Sequence, residues 1–129
     1  MPLFGPEPGW VDPAQPMIDW INNAPPADLA AELMTFFGPD GPRPGVRVDS
    51  SQFTQWMFRD YPKQTGLVVR ARPVDESIHE AIQLLEHAEL VYLRGTSDWA
   101  TYNPTRLGLA TLANGKAAVR QRIKDRTGL

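Results

Sequence analysis

The sequence predicts a small α+β domain, mostly helical with one β-hairpin, with a proline-rich arm before it and a basic helix at its end. Three observations predict this class. Apolar residues recur at helical spacing in several short segments. One β-prone segment is followed by turn residues and a second β-prone segment. Ten of the 13 prolines fall within residues 1–44. The length of 129 residues fits one domain, and 42% hydrophobic residues suffice for a modest core.

Residues 1–15 are predicted to form the extended arm, and residues 16–129 the single domain. Proline fixes φ and donates no backbone hydrogen bond, so the arm cannot be a long helix or a central strand. Leu3 and Phe4 nevertheless make it apolar. Three outcomes stay open: packing on its own domain, wrapping around a second protomer, or disorder.

Six helices are predicted from periodicity and end signals, and Ile78, Ala81, Ile82 and Leu85 mark the clearest of them. Pro26 suits a first helical position, and Gly38 followed by Pro39 suits a stop. The predicted helices cover residues 16–23, 26–37, about 50–60, about 75–88, from 103–105 to the Asn114-Gly115 interruption, and 116–126.

Three short strands are predicted as well. Val46-Arg47-Val48 places both valines on one face. Residues 90–94 and 99–102 would form a hairpin around the turn residues 95–98. Residues 63–73 remain ambiguous between a strand and a buried loop. Trp20 and Trp56 fit apolar helix faces and are predicted to lie in the core.

The segment from Ile78 to Gly115 carries two family-like patterns. A helix ends in Glu86-His87-Ala88-Glu89-Leu90-Val91, and the hairpin is left through Tyr102-Asn103-Pro104-Thr105-Arg106-Leu107-Gly108, a Tyr-x-x-Thr-x-x-Gly pattern. With the order helix, short strand, helix, helix, hairpin, helix over residues 26–113, the chain resembles the winged helix-turn-helix family. The resemblance implies that helix 50–60 is a positioning helix, helix 75–88 a recognition helix, and hairpin 90–103 a wing.

The implied recognition helix departs from a DNA reader in its charge. Between Arg72 and Arg94 there is no lysine or arginine, whereas the interval holds five carboxylates. Binding to DNA is driven largely by cations that displace counterions from phosphates. The resemblance therefore transfers the fold better than the DNA-reading role.

Charge is unevenly distributed behind the net value of −2. Residues 1–45 are acidic and residues 90–129 are basic, so a phosphate-binding surface would lie near the C-terminus. Two alternatives remain: a solvated basic helix, or a helix that docks on the acidic N-terminal half of a second protomer. The predicted phosphate contacts are Arg94, Arg106, Lys116, Arg120, Arg122 and Lys124.

No catalytic, cofactor or metal site is predicted. The absence of cysteine excludes disulfides, thiolate metal sites and cysteine nucleophiles. His79 and His87 do not share a helix face, and Glu76, His79 and Glu80 are the nearest approach to a ligand set. No nucleophile elbow or phosphate-binding glycine loop occurs. We expect no enzyme activity.

No apolar run approaches the roughly 18 residues of a membrane helix, and the N-terminus lacks the layout of a signal peptide. We therefore expect a cytoplasmic protein without membrane contact. The favoured function is that of a DNA-binding, transcription-regulator-like homodimer that touches phosphates through its wing and last helix. The alternative is a winged-helix protein–protein interaction module with an acidic third helix, in which Trp10 and Trp99 contact the partner.

Overall fold

The computed structural model of the chain describes residues 13–42, 48–61, 74–95 and 100–129. Within these residues six α-helices, one 3-10 turn and one antiparallel strand pair confirm the predicted α+β, mostly helical class. In chain order they are α1 (Gln15–Asn23), α2 (Pro26–Met34), the 3-10 turn (Thr35–Phe37), α3 (Ser50–Met57), α4 (Asp75–His87), β1 (Val91–Arg94), β2 (Thr101–Pro104), α5 (Arg106–Ala113) and α6 (Lys116–Thr127).

Helices α2 and α4 form the centre of the core. Helix α2 packs on α4 and α6, and α4 also packs on α3 and α6. The apolar faces predicted from periodicity for α2, α3 and α4 are confirmed, because Leu33, Phe53, Ile78 and Leu85 are all fully buried. Burial of these faces is the main favourable term that holds the short helices together.

The two tryptophans predicted for the core have different outcomes. Trp56 is buried, and its indole N–H donates to Thr35 Oγ1 at 3.0 Å. Trp20 is 37% exposed, so its core placement was wrong. Helix α1 turns Ile18 and Ile21 inward, and Trp20 lies about 100° around the helix from Ile21.

Helix α3 begins with a capping box. Asp49 Oδ1 accepts from the backbone N–H of Gln52 at 2.9 Å, and Gln52 Oε1 accepts from the backbone N–H of Asp49 at 3.0 Å. Asp49 is therefore the N-cap of this helix. The helix ends at Met57, earlier than the predicted residue 60, and continues as turns to Tyr61.

The predicted hairpin is present, with its second strand shifted. Strand β1 pairs antiparallel with β2, with Leu93 opposite Tyr102 and Arg94 opposite Thr101. The second strand therefore covers residues 101–104 rather than the predicted 99–102. Val48 forms a bridge to Tyr102 on the other side of β2, which leaves β1 as an outer strand.

A close contact joins the hairpin to α5. Thr105 caps the helix by accepting from the backbone N–H of Gly108 at 2.8 Å, and its hydroxyl donates to the carbonyl of Glu89 at 2.6 Å. A Cβ atom at Gly108 would lie 2.0 Å from the carbonyl oxygen of Leu90. Glycine is therefore required where α5 crosses the start of the hairpin.

Several predictions lie wholly or partly outside the described residues. Residues 1–12 of the arm, Val46, Arg47, residues 62–73 and the wing tip at 96–99 belong there. At the end of the predicted arm, Ala14 is buried and Gln15 already begins α1.

Candidate functional site

Helix α6 carries most of the predicted phosphate contacts, yet it is anchored by only two buried side chains. Val119 and Ile123 lie four residues apart on one stripe and are fully buried. The rest of the helix is largely polar and faces outward. Its cations are therefore positioned by how this narrow stripe docks on the domain.

Two cations of α6 are paired with carboxylates of α2. Lys116 Nζ lies 2.5 Å from Glu32 Oε1, and Arg120 Nη1 lies 3.3 Å from Asp28 Oδ1. The basic helix thus does dock on the acidic N-terminal half, as one sequence-based alternative stated, but on that of its own chain.

Two more cations of α6 hold the end of α4. Arg122 Nη2 and Arg126 Nη2 lie 3.3 Å and 2.5 Å from Glu89 Oε1. The Nε of Arg122 also donates to the carbonyl of Ala88 at 3.0 Å. Glu89 has a positive φ of 64°, a conformation typical of the residue that ends a helix. The two arginines therefore contact the turn by which the chain leaves α4.

The other three predicted phosphate contacts are Arg94, Arg106 and Lys124. All three are exposed, and none forms an ion pair within the described part of the chain. They lie on β1, α5 and α6 respectively. The six predicted cations therefore divide into a paired set on α6 and a dispersed unpaired set.

Helix α4, the recognition helix of the implied winged helix, has an acidic outward side. Its buried face includes Ile78, Ile82 and Leu85, whereas Glu76 and Glu80 are exposed. The helix holds four carboxylates and no lysine or arginine. Its outward side therefore repels a phosphate backbone.

The hairpin and α5 expose apolar side chains. Tyr92 and Leu93 are 44% and 51% exposed, and Leu107 and Leu109 are 41% and 42% exposed. Tyr92 and Leu93 point to opposite faces of β1 because side chains alternate along a strand. Exposure on both faces means that this strand extends beyond the body of the domain.

The outer edge of β1 also has free backbone groups. In an antiparallel pair, opposite residues alternate between those that exchange backbone hydrogen bonds and those that do not. Leu90 accepts from the N–H of Thr105 at 3.0 Å, so by register Tyr92 and Arg94 bond to β2, and the N–H and C=O of Leu93 point outward. Within the described residues nothing bonds to the backbone of Leu93.

Sequence reasoning missed this surface. It assigned residues 90–94 to a strand and Leu107 and Leu109 to a helix, which is correct, without placing them at the surface. The available signal was the run Val91-Tyr92-Leu93-Arg94, since a strand with one buried face would alternate apolar and polar residues. Trp10 and Trp99, the predicted partner contacts, lie outside the described residues.

Among the described residues no three histidine, aspartate or glutamate side chains form a group that could hold a metal ion. No helix in this part of the chain has the length and apolarity needed to span a bilayer. Comparisons with protein-family models, with curated proteins and with solved structures gave no match to this chain.

Proposed function

We propose that this chain is a winged-helix-like protein–protein interaction module whose contact surface is the exposed outer edge of the hairpin strand β1. The observation that carries the proposal is the outer edge of β1, where Tyr92 and Leu93 are exposed and the backbone of Leu93 has no partner among the described residues. An extended partner segment can add to such an edge through main-chain hydrogen bonds.

The winged-helix part of the proposal is supported by topology. The order from α2 to α5 is helix, bridge residue, helix, helix, hairpin and helix, as in the resemblance. Val48, the described end of the predicted first strand, bonds to Tyr102 in both directions, at 3.1 Å and 2.7 Å. This contact adds a third segment to the hairpin in the place where the resemblance implies a short strand.

The charges favour a protein partner over DNA. Four cations of α6 face carboxylates of the same chain, so a phosphate must compete with groups already in place. The implied recognition helix α4 offers carboxylates. Counterion release, which supplies most nonspecific DNA affinity, is weakened on both surfaces.

DNA binding is the second candidate, and one observation favours it. Arg94 on the predicted wing and Lys124 on α6 are exposed and have no ion pair within the described residues. Exposed surface ion pairs are also weak, so phosphates could displace those of α6. A DNA complex of this kind would be salt-sensitive and would lack base readout by α4.

The first test is a titration of the protein with mixed-sequence duplex DNA at about 50 mM salt, repeated at about 200 mM. The interaction module predicts no binding in either condition. Salt-sensitive binding that Arg94→Glu and Lys124→Glu weaken, and that the exposed neutral substitution Gln83→Ala leaves unchanged, would replace it with the DNA-binding reading.

The second test places a photo-crosslinking amino acid at Leu93 in the native host. A protein adduct of discrete mass is expected from this position. The matched control is the same amino acid at Gln83, which is exposed on α4. Equal adducts from both positions, or none from Leu93, would contradict the proposed surface.

A further inference from the structure

We propose that the partner that occupies the β1 edge is a second copy of this chain, joined by antiparallel pairing of β1 with β1 of the other copy and centred on Leu93. This inference rests on the proposed function, because it names the partner of the same surface. It is carried by the self-complementarity of the strand, in both its backbone groups and its side chains.

The backbone pattern limits how two copies could pair. The N–H and C=O of Tyr92 and Arg94 are used by β2, whereas those of Leu93 point to the open edge. A symmetric antiparallel pair can be centred on a residue whose groups point outward, which exchanges two hydrogen bonds with its copy, or on a residue whose groups point inward, which lies opposite its copy without direct hydrogen bonds. Each residue from 91 to 95 is therefore a possible centre.

Conformation and exposure select one of these five centres. A pair centred on Val91 would extend to Glu89, whose φ of 64° is not that of a strand. A pair centred on Gly95 would begin at a residue with φ of 115°, beyond the end of β1. A pair centred on Arg94 would place two arginines directly opposite each other, and a pair centred on Tyr92 would place Leu93 and Arg94 opposite the buried Val91 and Leu90. Only the pair centred on Leu93 sets the three exposed residues of β1, 92 to 94, opposite one another.

Side chains match in this register. Leu93 of one copy lies opposite Leu93 of the other on one face, and both leucines are half exposed in the single chain. On the opposite face Tyr92 lies opposite Arg94 of the other copy, at a position without direct hydrogen bonds, where side chains approach most closely. A cation therefore meets an aromatic ring, and the two Arg94 side chains do not face each other.

Pairing would also remove an exposed edge. A strand with unpaired N–H and C=O groups is a template for another strand. Two hairpins joined at β1 form one antiparallel sheet in the order β2, β1, β1, β2. Because the contact is the same on both copies, it closes as a dimer and does not propagate.

A single-cysteine experiment tests the register in the full-length protein. The chain has no native cysteine, so Leu93→Cys introduces one thiol. The two Cα atoms would lie about 5.5 Å apart, which suits a disulfide. Under mild thiol–disulfide exchange with oxidised glutathione, Leu93→Cys should form a covalent dimer much faster than the exposed control Gln83→Cys. Equal rates for the two variants would overturn the proposal.

A charge-swap experiment tests the same contact without a covalent bond. The unmodified protein should sediment as a concentration-dependent dimer. Leu93→Glu and Leu93→Lys should each sediment as monomers, since residue 93 faces itself, and an equimolar mixture should dimerise again. Circular dichroism checks that the exposed substitutions leave the fold intact. A monomer at all concentrations, or a dimer that both variants preserve, would overturn the inference.

The two proposals fail in different ways. If the protein is a monomer but a crosslinker at Leu93 still captures another protein in the host, the second copy is wrong and the interaction module stands. If crosslinking from Leu93 gives no adduct and DNA binds in a salt-sensitive manner, the proposed function itself is wrong.

Discussion

Helix α6 and strand β1 differ in whether the fold leaves their surface groups available to a partner. Helix α6 looks like a free basic surface in the sequence, but four of its cations are paired with carboxylates of α2 and of the turn after α4. Strand β1 looks like an ordinary strand, but the side chains of Tyr92 and Leu93 and the backbone of Leu93 are left open. The contacts that a residue makes in the folded chain therefore predict its availability to a partner better than its residue type does.

The two regions differ in the sequence separation between the groups that contact each other. Glu32 and Asp28 are more than 80 residues away from the cations that they contact, so no local pattern could reveal the pairing. The hairpin is held by local pairing, and nothing distant folds back over its outer edge within the described residues.

The largest expected effect concerns the anchoring of α6. Ile123→Ala should lower the free energy of unfolding by about 2–5 kcal/mol, because it removes one of the two buried side chains of this helix. The matched control is Gln121→Ala, which is exposed on the same helix and should stay within about 0.5 kcal/mol. Urea unfolding measures both. A small loss for Ile123→Ala would mean that the ion pairs hold α6.

The next largest loss of stability is expected at the junction between the hairpin and α5. Gly108→Ala should destabilise the protein by about 1–3 kcal/mol, because the added Cβ would collide with the carbonyl of Leu90. Ala110→Ser on the same helix is the control, with an expected change within about 0.5 kcal/mol. Equal thermal midpoints for the two variants would show that β1 is not fixed against α5.

A smaller effect is expected from the ion pairs of α6. A double-mutant cycle with Lys116→Ala and Glu32→Ala should give a coupling of about 0.2–1 kcal/mol that falls with added salt, since both groups are partly exposed. A coupling above this range would make charge, rather than the buried stripe, the main attachment of α6.

The smallest effect appears only at alkaline pH, in the hairpin. Burial, helped by the negative charge of Glu86, raises the pKa of Tyr102 above its ordinary value of 10.0. Above pH 10 the unfolded chain loses this proton first, so the stability contributed by the neutral phenol is present below pH 10 and is lost as pH rises through the folded pKa. Tyr102→Phe should flatten the decline in the free energy of unfolding measured by urea titration from pH 9 upward, relative to the unmodified protein. An identical decline in both proteins would refute the assignment.

Much of the fold was predictable from local chemistry. The helical spacing of Ile78, Ile82 and Leu85 identified α4, and Asn114-Gly115 separated α5 from α6 as the structure has them. The hairpin was predicted from β-prone residues around a turn, but its second strand was placed two residues early. The bond from the N–H of Thr105 to the carbonyl of Leu90 continues the same hairpin ladder, whereas the bridge of Val48 to Tyr102 comes from a distant segment that no local pattern could reveal.

The candidate site was only partly predictable. Charge counting identified α6 as basic and α4 as acidic, and both are so. It could not show that α6 had its counterions within the chain. The exposure of Trp20 was missed because the helical spacing in α1 also allowed a buried face that includes Trp20. In the structure α1 turns Ile18 and Ile21 inward instead.

The sequence by itself determined the α+β, mostly helical fold class, the positions of most elements and the separation of charge along the chain, because helix periodicity, turn residues and caps act over a few residues. Only the tertiary structure decided which charges are neutralised and which edge stays open. Those outcomes depend on segments far apart in the chain that meet in the folded domain, and on the direction in which the backbone of Leu93 points after β1 has paired with β2.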